Sequence, residues 1–251
     1  MADKKIVQLE KVSKIYQLDW IQIPALDNID FTINEKDFLS IIGPSGSGKS
    51  TLLHLIGLLD KQSQGKITFL GKDIRNYNEE GLARLRNQYV GFIFQQFNLL
   101  QRASALENVL LPVLYSSADI NDKRKKAIEI LTKLGLGDRL KNAPNQLSGG
   151  QQQRVAIARS LINDPKIIYA DEPTGNLDSK SGKEVIRILS ELHREGRTVV
   201  IVTHDPNLAK ITKRQINLMD GKIVKESKWF VTPLCAKQRL NQLTATKPGQ
   251  F

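Results

Sequence analysis

The stretch FLSIIGPSGSGKSTLLHLI, residues 38–56, decides how the rest of the chain is read. Phe38-Leu39-Ser40-Ile41-Ile42 is a short, nearly continuous apolar run, the pattern of a buried strand. It ends at Gly43, and Gly43-Pro44-Ser45-Gly46-Ser47-Gly48-Lys49-Ser50 fits G-x-x-x-x-G-K-[ST]. An apolar helix follows from Thr51, which closes the set of candidate phosphate contacts. Glycines let the backbone N–H groups wrap phosphate oxygens. Lys49 reaches the β and γ phosphates, and the Ser50 hydroxyl suits Mg²⁺.

Outward from this loop the chain alternates between strands and helices. Ile29, Phe31 and Ile33 alternate as in half-buried strands, and Lys66 to Leu70 reads as another, closed by Gly71-Lys72-Asp73. From Glu79 to Gly135 the pattern is mainly helical, with a helix from about Asn121 stopped by Gly135. Two buried-strand candidates, Lys166 to Ala170 and Thr198 to Thr203, flank a helix whose Val185, Ile188, Leu189 and Leu192 share one face, ended by Gly196. Strand, helix, strand at this spacing is a βαβ unit, so the sheet is expected to be parallel and covered. Asp220-Gly221 reads as a two-residue hairpin turn.

Asp171 and Glu172 end the first of these strands, where open α/β sheets hold their sites. Asp171 is expected in the Mg²⁺ shell and Glu172 to polarise an attacking water. His204 follows the second strand. A lone histidine there is ordinarily packing or solvent-facing, but a γ phosphate nearby gives it something to donate to. Gln95, after Val90-Gly91-Phe92-Ile93-Phe94, is a neutral amide that can touch metal and water, and Gln96 is its rival.

Leu147-Ser148-Gly149-Gly150-Gln151 raises a separate question. Ser148 and Gln151 form an S-x-x-Q capping box, and the helix beyond carries Val155, Ala156, Ile157, Ala158, Leu161 and Ile162. Its glycine-softened start is a second anion site in a chain that already has a better one.

The 251 residues suit one large domain or two small ones, and 40% hydrophobic with 25% charged residues describes a globular chain. Apolar runs such as Leu52 to Leu59 and Val199 to Val202 are too short to span a bilayer. The Met1-Ala2-Asp3-Lys4-Lys5 start lacks the apolar core of a signal peptide. The lone cysteine, Cys235, excludes an internal disulfide and fits a reducing compartment. A net charge of +11 suits nucleic acid, an anionic membrane face or a polyphosphate, and a solvated surface explains it as well. The basic run Lys123-Arg124-Lys125-Lys126 opens a helix with Ile128, Leu131 and Leu134 on its other face, which is the pattern of a solvated face.

Taken in order, the loop at 43–50, Gln95, Leu147 to Gln151, Asp171-Glu172, Gly175-Asn176-Leu177-Asp178 and His204 resemble the ATP-binding subunit of an ABC transporter over about residues 6–224. The resemblance implies an α/β fold: a P-loop NTPase core with a mostly parallel sheet, an antiparallel β subdomain, and a helical signature-motif subdomain at about 79–162. A single ABC ATPase domain would fill 1–224, with a basic C-terminal tail at 225–251. It implies ATP and Mg²⁺, the ion held by Ser50, Gln95 and Asp171. Catalysis would fall to Glu172, His204 and Gln95, and Tyr16 would stack on adenine. Two copies would pack head to tail, so that Ser148 and Gly150 touch the γ phosphate on the partner and Asp178 crosses the seam. That answers the question of the second anion site.

Gln95 would link the site to the helical region, which in the family receives a membrane subunit's coupling helix. Phe94 to Leu100, Pro173 to Ser179 and the extra residues between Tyr16 and Ala25 look like the lipoprotein-release, macrolide-export and peptide-resistance branch, with the septal division pair as a relative. Expected partners are a second copy and integral membrane permease subunits, on the cytoplasmic face of the inner membrane, without nucleic acid. A division-linked signalling ATPase is the alternative. Soluble translation or DNA-repair members fit less well, since they carry two cassettes or long coiled-coil insertions between the phosphate loop and the signature.

Overall fold

The structure, a computed structural model, describes residues 4–116 and 119–228. In chain order its elements are β1 (Lys5–Leu18), β2 (Ile21–Asn34), β3 (Phe38–Ile42), α1 (Lys49–Ile56), β4 (Gln64–Phe69), β5 (Lys72–Asp73), α2 (Glu79–Tyr89), β6 (Val90–Ile93), α3 (Ala105–Leu110), α4 (Ile120–Lys133), α5 (Gly149–Leu161), β7 (Ile167–Asp171), α6 (Ser179–Arg194), β8 (Thr198–Thr203), α7 (Pro206–Ala209), β9 (Arg214–Met219) and β10 (Lys222–Lys228). Two sheets form. One is antiparallel, in the order β2-β1-β4-β5. The other runs β10-β9-β3-β8-β7-β6 and is parallel throughout except for β10 against β9.

The parallel strands are apolar on both faces because both faces are covered. All six residues of β8 are buried. Along β7, Ile167 and Tyr169 face a core shared with the antiparallel sheet and α1, whereas Ile168 and Ala170 face α6. Period-two alternation thus serves two cores at once. Tyr169 is fully buried, which pushes its phenol well above its ordinary pKa, and its hydroxyl donates to Ile56 O at 2.8 Å. That bond satisfies the group at the C-terminal end of α1.

A third core gathers residues between Leu99 and Ile162 from α3, α4 and α5. The chain is mainly helical from Glu79 as expected, but the separate helical core starts later, at Leu99. Leu82 of α2 packs into the core beneath the antiparallel sheet, and β6 is an edge strand of the main sheet inside the stretch expected to be mainly helical. A 3.6-residue period shows which face a helix buries, not which core meets it. At the other end, Asp220 and Gly221 turn with φ of 48° and 74°, the two positive values a type I′ hairpin requires. β10 then pairs through Lys228, so the first residues of the expected tail are a strand. Their polarity, Lys225-Glu226-Ser227, is that of a solvent-facing edge strand. The remainder of the tail, with Cys235, lies outside the described residues.

Candidate active site

The strand order β3-β8-β7-β6 sets the sequence-predicted residues side by side at the C-terminal edge of the sheet. β3 leads into Gly43, β8 into His204, β7 into Asp171-Glu172, and β6 through Phe94 into Gln95. Adjacent parallel strands lie about 4.8 Å apart. Four segments distant in sequence thus share one rim.

At the phosphate loop, Gly48 precedes α1 with φ 99°, and a Cβ there would come within 2.6 Å of Ala25 O. Only glycine satisfies both conditions. No side chain caps α1, so the N–H groups of Lys49, Ser50 and Thr51 lack intrahelical partners and form an anion-binding end. Pro44, Ser45, Gly46 and Ser50 are exposed, whereas Ser47 is buried and its hydroxyl has no hydrogen-bond partner among the described residues. Lys49 Nζ donates to Gly43 O at 2.9 Å and Pro44 O at 2.7 Å, folding the ammonium over its own loop. A phosphate would give both the ammonium and the Ser47 hydroxyl a stronger partner.

Burial, joined by the charge of Glu172, raises the Asp171 carboxyl above its ordinary pKa, against the pull of His54 and Lys49. A cation at this edge would relieve that crowding. Among the described residues no group of three or more His, Cys, Asp or Glu gathers to hold a metal. A bound ion would therefore draw most ligands from phosphate and water, as Mg²⁺ does and Zn²⁺ does not. Ser50, Asp171 and Gln95 offer hard oxygen donors, so the residues present fit Mg²⁺.

Glu172 has φ 44°, rare for a side-chain-bearing residue and costing about 1–3 kcal/mol. Its N–H still continues the ladder, donating to Val202 O at 2.9 Å. Glu172 Oε1 lies 2.6 Å from His204 Nδ1 and accepts the His204 backbone N–H at 2.9 Å, and Oε2 accepts the Thr203 hydroxyl at 3.0 Å. The carboxylate is largely enclosed while the His204 ring is 72% exposed. The histidine ring faces solvent at the rim of the sheet.

Gln95 Nε2 donates to Asn176 Oδ1 at 3.4 Å, Asn176 Nδ2 donates to Gln95 O at 3.0 Å, and the Gln95 side chain lies against Gly175. The structure thus brings Gln95 to the segment that follows Glu172. Gln96 instead accepts the Asn98 N–H at its backbone carbonyl.

Ser148 caps α5 as expected: its hydroxyl accepts Gln151 N–H at 3.3 Å and Gln151 Oε1 accepts Ser148 N–H at 2.8 Å. Ser148 is exposed. Gly150 is buried against α6, where a Cβ would come within 2.5 Å of the Ser181 hydroxyl. Asp178 caps α6 through Lys180 and Ser181 N–H groups at 2.9 and 3.0 Å, and its bonds to Ser181 hold its carboxyl below the usual range. Tyr16 lies two residues before the end of β1, its hydroxyl donating to Asp60 at 3.2 Å.

Two residues that sequence reasoning missed complete the site. Thr203 is the last residue of β8 and holds Glu172. Its signal was a hydroxyl closing an apolar run. Gln153 is fully buried in α5 and donates to Pro173 O at 2.8 Å and Phe94 O at 3.4 Å. A polar side chain just ahead of the run Val155 to Ala158 was the available clue.

A phosphate loop, two acids and a histidine on a parallel sheet, joined to a helical part bearing a capped glycine-rich helix start, define a nucleoside triphosphatase with a second anion end. Residues 26–175 match the family model described as ABC transporter, and the chain belongs to that family as an ABC-type ATPase. It is 48% identical over 220 residues to an uncharacterized ABC transporter ATP-binding protein of Thermotoga maritima, covering 88% of this chain and 94% of that one. It is 46% identical to the macrolide export ATP-binding/permease protein MacB of Chlorobaculum tepidum over 89% of this chain, spanning about a third (34%) of that protein's length. The dimeric bacterial ABC cassette MJ0796 superposes with a TM-score of 0.82 at 44% identity, covering 90% of this chain and all (100%) of that one. The same cassette is also known as a dimer in a post-hydrolysis state bound to ADP and Pi. No helix among the described residues is long and apolar enough to cross a membrane.

Proposed function

We propose that this chain is the ATP-binding and ATP-hydrolysing subunit of a membrane transporter, bound to separate permease subunits at the cytoplasmic membrane face, and that two copies close head to tail over ATP. The observation that carries this reading is the separation of the two anion ends. The phosphate loop has Ala25, Leu26 and Leu218 as neighbours, whereas the start of α5 lies beside Asn176, Leu177 and Ser181. Two such ends suit one phosphate chain when a second copy brings its α5 to the first copy's loop. Ser148 and Gly150 then serve the partner's γ phosphate with helix-end potential, and Asp178 sits at the seam.

Within each copy the loop at 43–51 grips the phosphates and Tyr16 takes the adenine. Glu172, held by Thr203 and the His204 N–H, draws the proton from the attacking water, while His204 donates to the γ phosphate and Gln95 orients the water. Mg²⁺, held by Ser50, Asp171 and Gln95, would neutralise charge on the phosphates. Where the helical region meets the main sheet, a groove of about 840 Å³ is lined by Arg84, Asn87, Phe94, Pro112, Leu114 and Tyr115. Leu114 and Tyr115 are 67% and 75% exposed. A largely apolar groove lined by Phe94, the residue before Gln95, supports docking of a permease segment there, and MacB, whose name joins ATP binding to a permease, supports export as the branch.

Glu172→Gln tests the reading. The amide cannot accept the proton, so hydrolysis should fall about 10²–10⁴-fold while ATP still binds. Light scattering should then show the mass doubling with ATP. Near-normal turnover would remove Glu172 from the catalytic role, and a constant mass would remove ATP-driven pairing.

A further inference from the structure

Tyr16 is held by more than its own strand. The β1–β2 register pairs Tyr16 with Ile23 and Leu18 with Ile21, so these four apolar side chains share one face of the hairpin end. All four are exposed. Two residues along β2 from Ile23, the Ala25 carbonyl approaches Gly48, so this face begins beside the phosphate loop. Behind Tyr16 stands an ion pair that the catalytic reading does not use. Lys14 Nζ donates to Asp60 Oδ1 at 2.7 Å and Lys61 O at 2.8 Å, and lies 4.8 Å from the Tyr16 ring centroid. Asp60 Oδ2 accepts the Tyr16 hydroxyl, and Oδ1 also accepts Lys61 N–H at 2.7 Å. The Lys14 side chain is only 12% exposed. Burial works to raise the Asp60 carboxyl, but its bonds to Lys14 and Lys61 outweigh that and keep it below the ordinary range.

We propose that the Lys14–Asp60 pair is a positioning clamp for the nucleotide base: Asp60 fixes the phenol end of Tyr16, and Lys14 covers one ring face, so that a purine stacks on the other. The inference rests on the adenine reading of Tyr16. A tyrosine at an exposed hairpin end would otherwise lose rotamer freedom on binding, and a ring already held loses little. The ammonium over the ring adds a cation–π contact that fixes which face stays open.

The test compares ATP with inorganic tripolyphosphate, which has the phosphates without the base, by calorimetric titration of the full chain. Lys14→Met and Asp60→Asn should each weaken ATP about three- to tenfold, part of what a lost base–aromatic stack costs. They should raise KM with kcat at saturating ATP kept, and leave tripolyphosphate affinity unchanged, which also reports an intact fold. Lys14→Arg, which keeps the charge, should restore ATP affinity. Equal weakening of both ligands, or unchanged ATP affinity, would overturn the clamp. If Asp60→Asn does not fold, Lys14→Met with its Arg rescue decides. Tyr16→Ala separates the two readings. If it leaves the preference for ATP over tripolyphosphate intact, the adenine reading itself fails. If it abolishes that preference while the Lys14 and Asp60 variants retain it, the clamp alone fails.

Discussion

Two neighbouring acids at the end of β7 live under different electrostatics. Glu172 turns into the left-handed region at φ 44° and hands both oxygens to donors from β8 and His204. Asp171 stays on the strand, half-buried, with burial and the Glu172 charge raising its pKa. A carboxyl whose folded pKa exceeds its unfolded value adds stability below the unfolded value, about 3.9, and loses it as pH rises through the folded one. At neutral pH the ionised Asp171 is thus a cost in the nucleotide-free protein. Asp171→Asn should raise the nucleotide-free unfolding temperature at neutral pH, and the gain should shrink as pH falls below that window. If Asp171 holds Mg²⁺ as proposed, hydrolysis should also be abolished. Calorimetry across pH checks this, and a neutral-pH loss of stability would contradict it.

Among elements, α5 does the most joining. Its buried Val155, Ala156 and Ala158 enter the helical core while Ile157 enters the core under α6. Gln153 bonds the segments before Gln95 and after Glu172, and Arg159 donates to the Phe97 and Asn98 carbonyls. The glycine-rich end is therefore tied through one helix to the segments flanking both Gln95 and Glu172 in the candidate site. Gln153→Leu keeps much of the volume and strands two carbonyls, of which a buried one costs about 1–3 kcal/mol. The expected fall in unfolding temperature is about 2–10 °C. Turnover should fall further than ATP affinity, because the phosphate loop is untouched. Thermal scans beside ATP titrations measure the two, and a variant that loses affinity and turnover equally would deny α5 a coupling role.

At the scale of the whole molecule, the prediction concerns which copy Ser148 serves. On the proposed head-to-tail pairing, Lys49→Ala should disable a copy's own loop, and Ser148→Arg should fill the γ-phosphate space of the partner's site; losing the cap costs about 1 kcal/mol, which a folded domain tolerates. In a mixed head-to-tail dimer both defects fall on one site and the other is wholly wild type. Mixing the two inactive proteins should restore part of the hydrolysis, given a control dimer with one wild-type site that is active. If Ser148 acted within its own copy, each subunit would carry its own inactive site and mixing would restore nothing.

The phosphate loop, the βαβ unit, the Asp220-Gly221 hairpin and the α5 capping box were legible in the sequence because each is local. Glycine spacing, turn chemistry and a hydrophobic period are set by neighbours along the chain. Gln95, Asp171, Glu172 and His204 were legible as candidates too, since each sits where an apolar run stops, whereas Tyr16, Gly150 and Asp178 came from the resemblance. What only the tertiary structure decided is adjacency: that β6 joins the main sheet, that α2 belongs to the first core, that Thr203 and His204 grip Glu172, and that Lys14 and Asp60 hold Tyr16. Apart from Lys14 over the Tyr16 ring, the side-chain contacts among these join residues 31 or more positions apart, as with Glu172 and Thr203 or Tyr16 and Asp60. No periodicity encodes them, because strand order and helix docking are fixed by the joint burial of apolar faces, which the whole chain settles together.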